Sequence, residues 1–116
     1  MDENRLNSAE GIESVFLSDK VIVDDDTTVK AVALQYDNEK TGSAPKVEAK
    51  GQGYIARKII ERAEEHGISI VEDGKLADNL MSISIGQQIP AELYEAVAEI
   101  YIYLARLDEK VGESYE

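Results

Sequence analysis

A small single α/β domain, with a four-stranded mixed sheet packed by three to four helices, is predicted by three features of the sequence. Four short strand-like runs recur: "KVIVD" (20–24), "KAVALQY" (30–36), "KVEAK" (46–50) and "ISIVE" (68–72). An amphipathic stripe of Ile55, Ile59 and Ala63 separates the third run from the fourth. A second stripe, Leu93, Val97, Ile100, Leu104 and Leu107, steps by four and three near the end of the chain. A chain of 116 residues is large enough for one modest core.

Residues 1–18 lack sustained periodicity and read as a flexible acidic arm, with a helical turn near "AEGIESVF". A folded domain is expected over 19–108, followed by a flexible tail over 109–116. "KVIVD" is β-branched. "KAVALQY" is apolar almost throughout, as expected of a strand buried on both faces. "DNEKTGSAP" is a loop by composition. In "KVEAK", Val47 and Ala49 alternate with Lys46, Glu48 and Lys50, which predicts a strand with one wet face. A helix spans 53–67, with an Arg57–Glu61 pair one turn apart and His66-Gly67 at its C-terminus. A short helix from about Lys75 to Met81 and the linker "SISIGQQI" lead to Pro90, which suits the first turn of the last helix. Tyr94 and Tyr101 flank that helix's stripe, and Ile102 stands off it as a candidate exposed apolar contact.

Composition excludes several functions. There is no cysteine, so disulfides, thiolate zinc sites and cysteine nucleophiles are impossible. No window approaches the roughly 18 uninterrupted apolar residues of a membrane helix, and the N-terminus lacks the features of a signal peptide. A cytoplasmic location is expected. The net charge of −12 disfavours nucleic acid as a partner. Half of that excess lies in residues 1–26, whereas 46–62 is locally basic through Lys46, Lys50, Arg57, Lys58 and Arg62.

Several motifs suggest chemistry. "GQGYIA" fits the glycine fingerprint of dinucleotide-binding folds, with Glu72 and Asp73 about 20 residues further on. That fold, however, requires this unit first and further parallel strands after it. "VIVDDD" and Asp73 suggest a phosphate-accepting receiver domain, but a strand follows the acidic run where a helix is needed. Asp24, Asp25 and Asp26 point in different directions along the chain and do not converge from several elements as a metal site requires. His66, the one histidine, sits at a helix end without a nearby nucleophile. No catalytic residue, cofactor or metal is expected.

The segments "AVALQYD" followed by a loop and "AP", the "AKG" turn, "IVEDGKLADNL" and "IGQQIPAELYEAVAEIYIYLARL" together resemble one family. It is the cytoplasmic domain of the FlhB/YscU proteins, the substrate-specificity switches of flagellar and related type III export machines. The resemblance covers about 20–107. Family members carry an Asn-Pro-Thr-His turn before the "AVAL" strand and cleave themselves between Asn and Pro. The Asn side-chain nitrogen attacks its own backbone carbonyl and closes a succinimide. The matching positions are Asp26, Thr27, Thr28 and Val29, of which only Thr28 agrees. Asp26 has no amide nitrogen, Thr27 lacks the ring that fixes φ, and Val29 cannot move a proton. The resemblance thus implies a degenerate switch, free-standing and unable to cleave itself. Such a protein would be a non-enzymatic cytoplasmic accessory of the export apparatus, recruited to the inner face of the membrane by it. Its partners would be export-gate components or export substrates, contacted through Lys46, Lys50, Arg57, Lys58, Arg62 and Ile102. The competing class is a cytosolic regulatory protein unrelated to export.

Overall fold

Val21, Ile22 and Val23 are flanked on both sides by strands, and that central position explains their unbroken apolar character. In the computed structural model, which describes residues 12–25, 28–36 and 44–103, β1 (Lys20–Asp24) pairs antiparallel with β2 (Lys30–Gln35). β2 pairs antiparallel with β3 (Lys46–Gln52), and β4 (Ser69–Glu72) adds parallel to the other side of β1. The order is β3-β2-β1-β4, a mixed four-stranded sheet as expected. α1 (Tyr54–Glu65) crosses from one sheet edge to the other. α2 (Gly74–Leu80) and α3 (residues 94–103) complete the α-helices among the described residues.

The strands' two-residue alternation builds two cores. On one face Val21, Val23, Ala31, Ala33 and Ala49 meet Ala56, Ile59 and Ala63 of α1. The many alanines let helix and sheet approach closely. On the other face Ile22, Val32, Leu34 and Val47 meet Leu76, Ala77 and Leu80 of α2, and Val97 of α3.

Two expectations are corrected. The N-terminal arm is not free as far as residue 18. Ile12–Leu17 form a 3-10 turn whose Val15 is fully buried beneath α1, because an apolar residue there completes the alanine-rich core. Residues 1–11 and the proposed tail lie outside the described residues. The second correction concerns β3. Ala33 pairs with Ala49 but Leu34 pairs with Val47, so Glu48 is the extra residue of a bulge. The bulge sends Val47 and Ala49 to opposite faces, where simple alternation puts them on one.

As a consequence Lys50 lies on the α2 face. Its Nζ donates to the carbonyl oxygens of Met81 at 2.8 Å and Ile83 at 2.9 Å, satisfying acceptors that the end of α2 leaves open. Lys50→Met should therefore cost about 1.5 kcal/mol, the low end for hydrogen bonds to a charged group. Urea unfolding would measure this, and an unchanged midpoint would contradict it.

Candidate functional site

The acidic corner that follows β1 is partly structural. Asp24 lies 3.8 Å from Lys30 Nζ, and the same ammonium reaches Asp78 on α2 at 3.0 Å. A Cβ on Gly74, in the first turn of α2, would stand 3.1 Å from the Asp24 carboxyl carbon, so glycine permits this close approach. Asp25 is exposed. Asp26 and Thr27 lie outside the described residues. Thr28 is exposed, whereas Val29 is buried in the α1-side core and its carbonyl accepts the Gly53 N–H at 2.8 Å. Among the described residues, no group of three or more acidic, histidine or cysteine side chains is disposed to hold a metal ion.

The glycine fingerprint does not build a nucleotide unit. β3 and β4, the strands on either side of α1 in sequence, are the two outer strands of the sheet, with β2 and β1 between them. In the dinucleotide unit the strands that flank the fingerprint helix are hydrogen-bonded neighbours, beside the crevice where the strand order reverses. Gly53 instead has φ 63° and turns the chain out of β3 into α1. Asp73 is the N-cap of α2, its Oδ1 accepting the Leu76 N–H at 3.1 Å. His66 caps α1, with Nδ1 2.9 Å from the Arg62 carbonyl oxygen.

Nor do the five basic residues form one cationic region. Lys50 is engaged on the opposite face of the sheet from α1. Lys46 pairs with Glu48 at 3.6 Å. Lys58 pairs with Glu61 at 3.5 Å, where the sequence suggested Arg57 for that acid. Arg57 shares a hollow with Asp25, Glu64 and Glu72, and Arg62 shares another with Glu61 and Glu65. The interleaved acids cancel the local excess that a linear count reveals.

Ile102 has different surroundings. It is 51% exposed and lies along an apolar groove of about 380 Å³. α3 contributes Tyr94, Val97, Ala98, Tyr101 and Ile102, a second stripe beside the Leu93, Val97 and Ile100 stripe that seats the helix on the sheet. Leu104 and Leu107, the sequence continuation of the seating stripe, lie outside the described residues. The rest of the groove comes from Tyr36 after β2, Ala44 and Pro45 before β3, and Ile89. Ile89 N–H donates to the Pro45 carbonyl at 2.9 Å, and Val47 N–H to that of Gln87 at 3.0 Å, so the "GQQI" linker is laced to the edge of β3. The groove is hidden in the sequence because Ile102 shares its helix face with the acids Glu95 and Glu99. Tyr94, Ala98 and Ile102, at i, i+4 and i+8, were the available signal.

Behind the groove stands Asp19. Its Oδ1 accepts a hydrogen bond from Tyr101 Oη at 2.5 Å, and its Oδ2 accepts the Tyr36 N–H at 2.8 Å. The rings of Tyr36 and Tyr101 meet edge to face at 5.7 Å, and Lys20 Nζ lies 4.5 Å from the Tyr101 ring centre.

Comparison with known proteins places this arrangement. The model of the FlhB HrpN YscU SpaS family matches residues 4–104. The chain belongs to this family. It is 45% identical over 82 residues to the uncharacterized protein YlqH of Bacillus subtilis, covering 71% of this chain and 87% of that one. It is 51% identical over 78 residues to the flagellar biosynthetic protein FlhB of Yersinia enterocolitica, covering 66% of this chain but only 20% of that protein. The cytoplasmic domain of FlhB from Shewanella putrefaciens superposes with a TM-score of 0.73 at 36% identity, covering 81% of this chain and 73% of that one. A C-terminal domain of EscU bearing an Asn-to-Asp mutation superposes with a TM-score of 0.70 at 29% identity, covering 85% and 87% of the two chains. The export-switch fold is thereby established for this FlhB/YscU-family chain. Among the described residues no helix is long and apolar enough to cross a membrane.

The contact between Tyr101 and Asp19 makes a pH prediction for this family member. Burial foremost, then the Asp19 hydrogen bond and charge, hold the Tyr101 hydroxyl well above the ordinary tyrosine value of 10.0. The folded chain keeps this proton after the unfolded chain has released its own. The contribution is therefore complete below pH 10 and declines as the pH rises beyond it. Unfolding followed by circular dichroism should show a loss of stability above about pH 10. Tyr101→Phe should remove part of that loss. Identical alkaline profiles for the two proteins would contradict the assignment.

Proposed function

We propose that this chain is a non-enzymatic, cleavage-incompetent accessory of a flagellar or related type III export apparatus, and that it receives apolar segments of export-gate components or export substrates in the groove along α3. The groove carries this reading. It is open and apolar, and it is framed by the "AP" and "IGQQIP" segments that also carry the family resemblance. Family membership supports the export setting. Asp26 supports the loss of switching, because a carboxylate at that position offers no nitrogen to close a succinimide.

The test is calorimetry of the purified chain against purified export-gate domains and export substrates, repeated with Ile102→Glu. Ile102 is half exposed, so the substitution should leave the melting temperature nearly unchanged. A buried carboxylate without a partner should weaken binding at least about tenfold, or 1.4 kcal/mol. The effect should exceed that of reversing Arg57, Lys58 and Arg62 together, since neighbouring acids already offset those charges. Absence of saturable binding to any export component, or normal binding by Ile102→Glu, would overturn the reading.

A further inference from the structure

Three of the groove's walls come from distant parts of the chain. Tyr36 follows β2, Tyr101 lies on α3, and Ala44 to Pro45 and Ile89 close the other side. The last two segments are joined by main-chain hydrogen bonds, as described above. The tyrosine end has no such lacing among the described main-chain contacts. Beside the edge-to-face contact of the two rings, it is joined by a side chain, Asp19, at the junction of the N-terminal 3-10 turn and β1. Asp19 is itself fixed, because its N–H donates to the Leu34 carbonyl at 2.8 Å. It does not line the groove.

We propose that Asp19 is a positioning residue for the groove: by accepting the Tyr101 hydroxyl and the Tyr36 N–H on its two oxygens, it sets the spacing of the tyrosines between which an apolar segment is received. This rests on the reading of the groove given above. The carboxylate is suited to the task because each oxygen serves one donor. An amide at the same place can still meet both, accepting the Tyr36 N–H and donating to the Tyr101 hydroxyl oxygen, so only an apolar side chain removes both bonds. An apolar ligand gains little from any single contact, so its affinity depends on how closely the walls fit it. Lys20, whose ammonium lies over the Tyr101 ring, does not itself line the groove.

The experiment uses the full chain and the neutral dye Nile red, whose fluorescence rises in an apolar site, at a temperature where every variant is fully folded. The wild type should bind it saturably, and Ile102→Glu should abolish this, placing the dye in the groove. Asp19→Leu, which keeps much of the side chain's volume but removes both acceptors, should weaken binding by at least about fivefold although residue 19 touches no ligand. Tyr101→Phe, which keeps the ring, should weaken it in the same direction. Ile59→Val, in the core on the opposite face of the sheet, should lower the melting temperature by a comparable amount and leave dye affinity unchanged. Normal binding by Asp19→Leu, with Ile102→Glu still blocking, would overturn the positioning role and leave the groove's function standing. Equal weakening by Ile59→Val would reduce Asp19 to a contributor to general stability. No saturable binding by the wild type would overturn both readings.

Discussion

Incubated at neutral pH, the chain should remain one species of full length by mass spectrometry, with the bond between Asp26 and Thr27 intact. The reaction it would otherwise undergo requires a side-chain nitrogen at residue 26, and a carboxylate supplies only oxygen. Two fragments meeting at that bond would contradict the degenerate-switch reading outright. The converse result is the larger effect. Asp26→Asn, Thr27→Pro and Val29→His together should restore cleavage. The structure adds a cost, since Val29 is buried in the α1-side core. An imidazole there must either turn outward toward the exposed Thr28 or lose its hydration. The triple variant should therefore melt lower than the wild type even before it is cut. After cleavage the two fragments should stay associated, because β1 and β2 pair through five residues on either side of the turn.

The second large effect concerns the layer on which the groove is built. Leu80 is fully buried between α2 and the sheet, in the same cluster as Ile22, Val32, Leu34, Ile89 and Val97. Leu80→Ala should destabilise the fold by about 3 kcal/mol, combining lost transfer energy with the cavity left beneath α2. In a domain whose whole stability is expected to be about 5–15 kcal/mol, the thermal midpoint should fall by roughly ten degrees or more. Chemical unfolding would check the magnitude. A loss below about 1 kcal/mol would mean that the α2 layer packs more loosely than its burial implies.

The sequence by itself determined the strands, the helices and the family. Apart from the bulged β3, the strand runs packed as their two-residue period required, and the α1 stripe of Ile59 and Ala63 repeated at the helical period. Those periods are local properties of the backbone, so they survive without knowledge of what the elements pack against. The loss of the cleaving amide at Asp26 is equally local, because succinimide chemistry runs within one residue and its neighbour. What only the tertiary structure decided were the relations between elements. The bulge at Glu48 is a property of β2 and β3 together, and it moved Lys50 from an expected wet face to the end of α2. The basic run divided because Asp25, Glu64 and Glu72 line the same hollow as Arg57 while Lys50 turns to the opposite face of the sheet. Asp19 meets Tyr101 across 82 positions of sequence. The groove exists because an apolar helix stripe, a proline before β3 and a tyrosine after β2 converge on one end of the sheet. Charge, pairing and concavity depend on distances in space, and those distances are fixed only when the two cores close.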